Sequence, residues 1–219
     1  MFLVAIVLIS ALAVPLLGGS LSALADVRPR LAWILLLALG LQVVSLSLPG
    51  LPESLRPLIQ LGSYPIAGVF VIANRHLPGM LLIGLGALLN LIAMSANGGV
   101  MPASASALDR AGLPLHRDSY VNSALVREPR LGFLGDVFAI PEPVPLHNVF
   151  SVGDVSIGAG VVVAVHGLSG SRLRVVRRGG RHARRRRYRA RHLRPRRGRD
   201  PATAAGPPGR GADVSEGRR

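Results

Sequence analysis

Five long apolar runs restrict this chain more sharply than any other feature. They are residues 2–19 (FLVAIVLISALAVPLLGG), 31–48 (LAWILLLALGLQVVSLSL), 57–74 (PLIQLGSYPIAGVFVIAN), 77–96 (LPGMLLIGLGALLNLIAMSA) and 152–169 (VGDVSIGAGVVVAVHGLS). None contains Lys, Arg or Glu, and Asp154 is the single acid among them. Each approaches the ~20 residues that carry a helix across a ~30 Å hydrocarbon layer. A helix that is apolar all round has no face to turn to water. The expected fold class is therefore all-α: a polytopic membrane helix bundle of about five transmembrane helices.

The charge is not spread over such a bundle. Residues 1–171 hold eight arginines and eight acids, whereas residues 172–219 hold 18 arginines against Asp200, Asp213 and Glu216. All of the net +15 sits in those last 48 residues. The expected division is an integral membrane domain over 1–170 and a disordered, Arg-rich tail over 171–219. Inside that tail, RRGGRHARRRRYRARHLRPRRGRD (177–200) holds one aromatic, Tyr188, so base stacking has almost no support. Contact with anionic lipid headgroups, at about 1 kcal/mol per arginine, ranks ahead of nucleic acid. A second origin stays open: a frameshift in GC-rich DNA yields the Arg, Gly, Pro and Ala that fill the tail.

Arginine placement sets the expected orientation. Arg28 and Arg30 in the first link, Arg75 in the third and Arg172 after the fifth run fall on one side. Arg56 is offset by Glu53, and the long segment 97–151 balances its arginines with acids. This puts the N-terminus outside, the C-terminus in the cytoplasm and 97–151 outside a bacterial plasma membrane. A rival for the first run is a cleaved signal peptide, because Ala23-Leu24-Ala25 resembles a cleavage site. No positive charge precedes that run, which weighs against it.

The outer segment is not plain linker. It opens on Asn97-Gly98-Gly99, a turn signal, and Asp118 is placed to cap a short helix over 119–126. Residues 131–150 are apolar and stiffened by Pro141, Pro143 and Pro145 into an extended course, packed on the bundle or lying in the interface.

Chemistry-bearing motifs are few. The chain has no cysteine, which excludes disulfides and thiolate sites. It has no lysine, which excludes a Walker phosphate loop and Schiff-base chemistry. The six histidines show no zinc-ligand spacing, and Ser169 lacks the Gly-x-Ser-x-Gly elbow, so no cofactor, metal or catalytic set is expected. Gln42, Gln60 and Asn90 inside the runs read as hydrogen-bonding glue between helices. Gly79, Gly84, Gly86 and the series Ser156/Gly160/Ala164 read as close-packing positions. Gly135-Asp136-Val137 and Gly153-Asp154-Val155 repeat one tripeptide. They place two carboxylates able to take a cation or proton, or alternatively a turn end and a helix cap. The candidate functional residues are Asn97, Gly98, Gly99, Asp136 and Asp154.

With these elements in order, residues 1–170 resemble an uncharacterised family of small bacterial multi-pass membrane proteins, domain of unknown function 5317. The resemblance rests on Gly18-Gly19 followed by an arginine pair, NRHLPG (74–79), NGGVMP (97–102), LGDV (134–137) and VFSVGDV (149–155). It implies an integral membrane protein and assigns no activity. The expected role is that of a non-enzymatic scaffold or partner-binding protein, its partners being the bilayer and an unidentified membrane or envelope protein. The alternative is a small transporter or ion-binding protein using Asp136 and Asp154.

Overall fold

Each apolar run is helical over most of its length in the computed structural model of the chain, which describes residues 2–115 and 123–173. The long helices are α1 (Phe2–Leu16), α3 (Ala32–Ser47), α4 (Leu55–Ala73), α5 (Met80–Ala96) and α7 (Val152–Ser169). Two short ones, α2 (Leu21–Ala25) and α6 (Ala105–Arg110), lie between them. Backbone in an apolar run meets no polar partner, so it closes its hydrogen bonds within the segment. The ends are trimmed where the backbone turns left-handed, at Gly18, Leu31, Gly79 and Gly170, with φ between 56° and 78°.

That trimming corrects the expected five spans. α1, α3 and α5 have 15, 16 and 17 residues, a rise of about 22–26 Å against a hydrocarbon layer of ~30 Å. Among the described residues, only α4 (19 residues) and α7 (18 residues) are long and apolar enough to cross a membrane by length and composition.

The all-α expectation fails on a second count, because segment 97–151 builds a four-stranded mixed sheet. Its strands are β1 (Met101–Ala103), β2 (Ser123–Leu125), β3 (Asp136–Ile140) and β4 (Asn148–Ser151), in the order β2-β1-β3-β4. β1 runs parallel to β2 over three residue pairs and meets β3 at one, Ala103 with Asp136. Pro102 at the centre of β1 has no N–H to donate, in keeping with so thin a join. β3 and β4 pair antiparallel, Asp136 with Ser151 and Phe138 with Phe150. Pro141, Pro143 and Pro145 fall in the connection between these two strands, where a missing N–H interrupts no ladder. They therefore end strands where a continuous extended course was expected. Of the helix expected over 119–126, residues 123–125 form β2 instead, while 119–122 and the capping Asp118 lie outside the described residues. The expected disordered tail beyond Leu173 also lies outside them.

Two small apolar clusters seat the sheet. Ala107 and Leu108 of α6, with Ala111 just after it, cover one face through Ala103 and Val149. Met101 joins Ala93 and Met94 at the end of α5, with Leu61 and Tyr64 of α4 beside them.

Between helices the contacts are made by small and polar residues. Gly79, just before α5, and Gly86 within it meet Gly160 and Gly153 on α7 in antiparallel register, and an added Cβ at either would run into an α7 carbonyl. Between α3 and α4, Gln42 Nε2 donates to Ser63 Oγ (3.1 Å) and Ser45 Oγ to Gln60 Oε1 (2.5 Å). Arg56 donates to the Ser45 and Leu48 carbonyls at the C-terminus of α3, with Glu53 3.3 Å away. Ser45, Gln60, Ser63, Asn74, Asn90 and His166 are buried, while Leu12, Leu36, Ile72 and Leu81 point outward.

Candidate functional site

A compact polar cluster lies at the junction where β4 becomes α7. Ser151 ends the strand and caps the helix: the Asp154 N–H donates to Ser151 Oγ (2.9 Å) and the Ser151 N–H to Asp154 Oδ2 (3.1 Å). This reciprocal pair fills backbone donors that a helix start leaves open. Asn90, from α5, closes the knot. Its Nδ2 donates to Asp154 Oδ1 (2.9 Å), and its Oδ1 accepts from the Ser151 hydroxyl (2.8 Å). Gly153 makes room, because a Cβ there would collide with the Asn90 amide oxygen. Both oxygens of Asp154 are thus held by donors, which is the capping alternative read from the sequence.

Asp136 stands on the other side of Ser151, its partner in the β3–β4 ladder. It is 3% exposed and accepts from Ser123 Oγ at 2.5 Å. Burial raises its pKa from 3.8 to about 6; the Ser123 bond opposes the rise and the Asp154 charge adds to it. Gly135 before it lets the chain close on the Pro102 carbonyl, where a Cβ would not fit. The two Gly-Asp-Val tripeptides therefore meet across one serine, so that a carboxyl titrating near pH 6 lies beside a helix-capping carboxylate.

Asn97, Gly98 and Gly99 are placed elsewhere. The Asn97 amide donates to the Ala93 and Arg130 carbonyls (2.7 and 2.8 Å) and accepts from the Arg130 N–H (2.9 Å). It ties the end of α5 to the loop before β3 and is not bonded to the carboxylates. Gly98 and Gly99 take φ +69° and +87°, and a Cβ on Gly99 would strike Pro57 at the start of α4.

Sequence reasoning missed three members of the cluster. Asn90 was legible only as glue. Ser151 had a signal, since Ser-x-x-Asp ahead of an apolar run is a capping box. Ser123 had none, being brought in by the pairing of β1 with β2 and β3. Among the described residues no group of three or more His, Asp and Glu side chains is arranged to hold a metal. A groove of about 680 Å³ between α4 and α5 is apolar, with Tyr64 its one polar side chain.

The sequence matches the family of unknown function DUF5317 over residues 26–166. The chain belongs to this family. The DUF5317 match takes in Asn74, Asn90, Asn97, Asp136, Ser151 and Asp154, and leaves out α1 and the arginine-rich tail. A curated relative, an uncharacterized protein of Thermotoga maritima, is 33% identical over 101 residues, 46% of this chain and 58% of that protein. No solved structure matches the chain.

Proposed function

We propose that the chain is an integral protein of the bacterial plasma membrane that acts by binding, as a scaffold or partner-holding protein, and carries out no catalysis. The observation that carries this is the reversal of polarity: amides and hydroxyls are buried between helices, while Leu, Val and Ile side chains are exposed along them. In water the exposed apolar area would be unfavourable by about 25 cal/mol per Å². Against lipid that cost vanishes, and buried amides hold helices together. In the polar cluster Asn90, Ser151 and Asp154 are bonded to one another, so they hold α5 to the start of α7.

The orientation we propose has the sheet end outside and the arginine end in the cytoplasm. In its support, the Asn74 side chain bonds the Arg30 backbone, and the Arg172 N–H donates to the Leu17 carbonyl, so three arginine-bearing links gather at helix ends away from the sheet. The cysteine-free chain makes the test clean. An alkaline carbonate wash should leave the protein in the membrane pellet. On intact spheroplasts an impermeant maleimide should label Ser106→Cys on α6 and spare His76→Cys after α4. Release by carbonate would overturn the membrane reading, and labelling of His76→Cys alone would invert the orientation.

A second reading, a proton- or ion-responsive membrane protein, is favoured by Asp136 alone, a buried carboxyl raised to about 6 beside Asp154. Asp136→Asn should then abolish a pH-dependent flux in proteoliposomes. No flux in the parent protein would dispose of it.

A further inference from the structure

We propose that the uncovered face of the sheet lies in the membrane interface and is occupied by lipid, at the boundary between headgroups and acyl chains. This rests on the membrane reading above. The sheet is two-faced. Ala139 and Val149 turn toward α6, which covers them and exposes Asp109 and Arg110 on its far side. Side chains alternate along a strand, so Phe138 and Phe150 turn the other way. They stack on each other with ring centroids 5.3 Å apart, and Phe150 stacks on Phe2, at the start of α1, at 4.2 Å.

This row of rings ends on Phe2, which is half-buried beside Gly158 of α7 and borders the exposed apolar flank of α1 that goes on through Ile9 and Leu16. The apolar flank that the bilayer would cover on α1 thus meets the sheet at the Phe2–Phe150 stack. Phe138 remains 43% exposed there, and Phe133, in the turn before β3, is 67% exposed. Interfacial segments of this kind bury their apolar side to a depth of about 5–10 Å.

Trp33 is the only tryptophan in the chain, which allows a direct test in lipid nanodiscs. Three full-length proteins are compared: the parent, and Trp33→Phe carrying either Phe138→Trp or Phe133→Trp. Each is placed in phosphatidylcholine brominated near the top or near the end of the acyl chain. Both moved tryptophans should be quenched roughly twofold or more by the upper bromines and less by the lower ones, as expected for an interfacial depth. Red-shifted, unquenched emission would mean water covers this face, and blue-shifted, unquenched emission would mean protein covers it, a second copy included. Either result overturns the proposal. The parent separates this failure from that of the membrane reading: Trp33, 62% exposed on α3, is quenched if the helices sit in lipid, whatever the sheet does.

Discussion

Asn97 does at the end of α5 what Asn74 does at the end of α4. Each amide reaches back to a carbonyl four residues earlier in its own helix, Phe70 for Asn74 and Ala93 for Asn97. Each also grips the backbone of an arginine in both directions, Arg30 for Asn74 and Arg130 for Asn97. Each arginine lies in a Pro-Arg-Leu triplet whose leucine is left-handed, Leu31 at φ 56° and Leu131 at φ 53°. A helical segment follows in both cases, the long α3 after Leu31 and a single 3-10 turn, Gly132–Leu134, after Leu131. The same device thus anchors two different links to the ends of consecutive helices.

Removing either grip should cost stability, and the two costs should differ. Asn74 is fully buried, whereas the bonds of Asn97 to Arg130 are exposed. Asn74→Ala breaks the part-buried bonds to Arg30 and leaves the buried Phe70 carbonyl without its side-chain donor, a loss of about 1–3 kcal/mol. Asn97→Ala, with water able to replace the side chain, should lose less. Thermal unfolding of the two variants in the same nanodiscs checks this; equal losses would contradict it.

The knot at the start of α7 predicts strong coupling. Ser151→Ala removes the cap and the bond to Asn90, and Asn90→Ala removes the bonds to both Ser151 and Asp154. A double-mutant cycle should show an interaction energy of about 0.5–3 kcal/mol, as for side chains sharing one network. Additive losses would mean that the cap and the interhelical bond act separately.

Asp136 ties stability to pH in a stated direction. Its folded pKa is raised, so the folded state holds the proton more tightly than the unfolded chain. The stabilisation it contributes is complete below pH 3.8 and is lost as pH rises to about 6. Asp136→Asn mimics the protonated form and can still accept from Ser123. It should be more stable than the parent at pH 8, by about 1–3 kcal/mol, and the difference should fade toward pH 4. Unfolding midpoints at both pH values decide it, and a gap that does not change with pH would refute the assignment.

Glycines that look alike along the chain should respond in opposite ways. Gly86→Ala drives a methyl group into the Gly153 carbonyl and the Ile157 side chain and should cost about 1–3 kcal/mol or more. Gly40→Ala, within α3, meets nothing within 4 Å and should gain about 0.5–1 kcal/mol in helix stability. Unfolding measurements on the pair would expose any error in the α5–α7 register.

The sequence by itself determined where the long helices run and which polar side chains lie between them. The five apolar stretches map onto α1, α3, α4, α5 and α7, because a helix satisfies its backbone from residues four apart and needs no distant partner. Gln42 and Gln60 were legible as interhelical bonds for the same reason: an amide in an apolar run has only another helix to bond. The length of each helix was less legible, since left-handed ends such as Leu31 depend on a side chain from another helix, Asn74. Only the tertiary structure decided the sheet. Its strands are three to five residues long, and their partners lie far apart in the chain, Met101 with Ser123 and Asp136 with Ser151. Strands that short carry too few residues for a clear period of two, and no local turn announces a parallel pair. The meeting of Asp136 with Asp154 was decided in the same way: the tripeptides stand 18 residues apart in sequence, and it is the β3–β4 ladder, through Ser151, that brings their carboxylates within reach of one another.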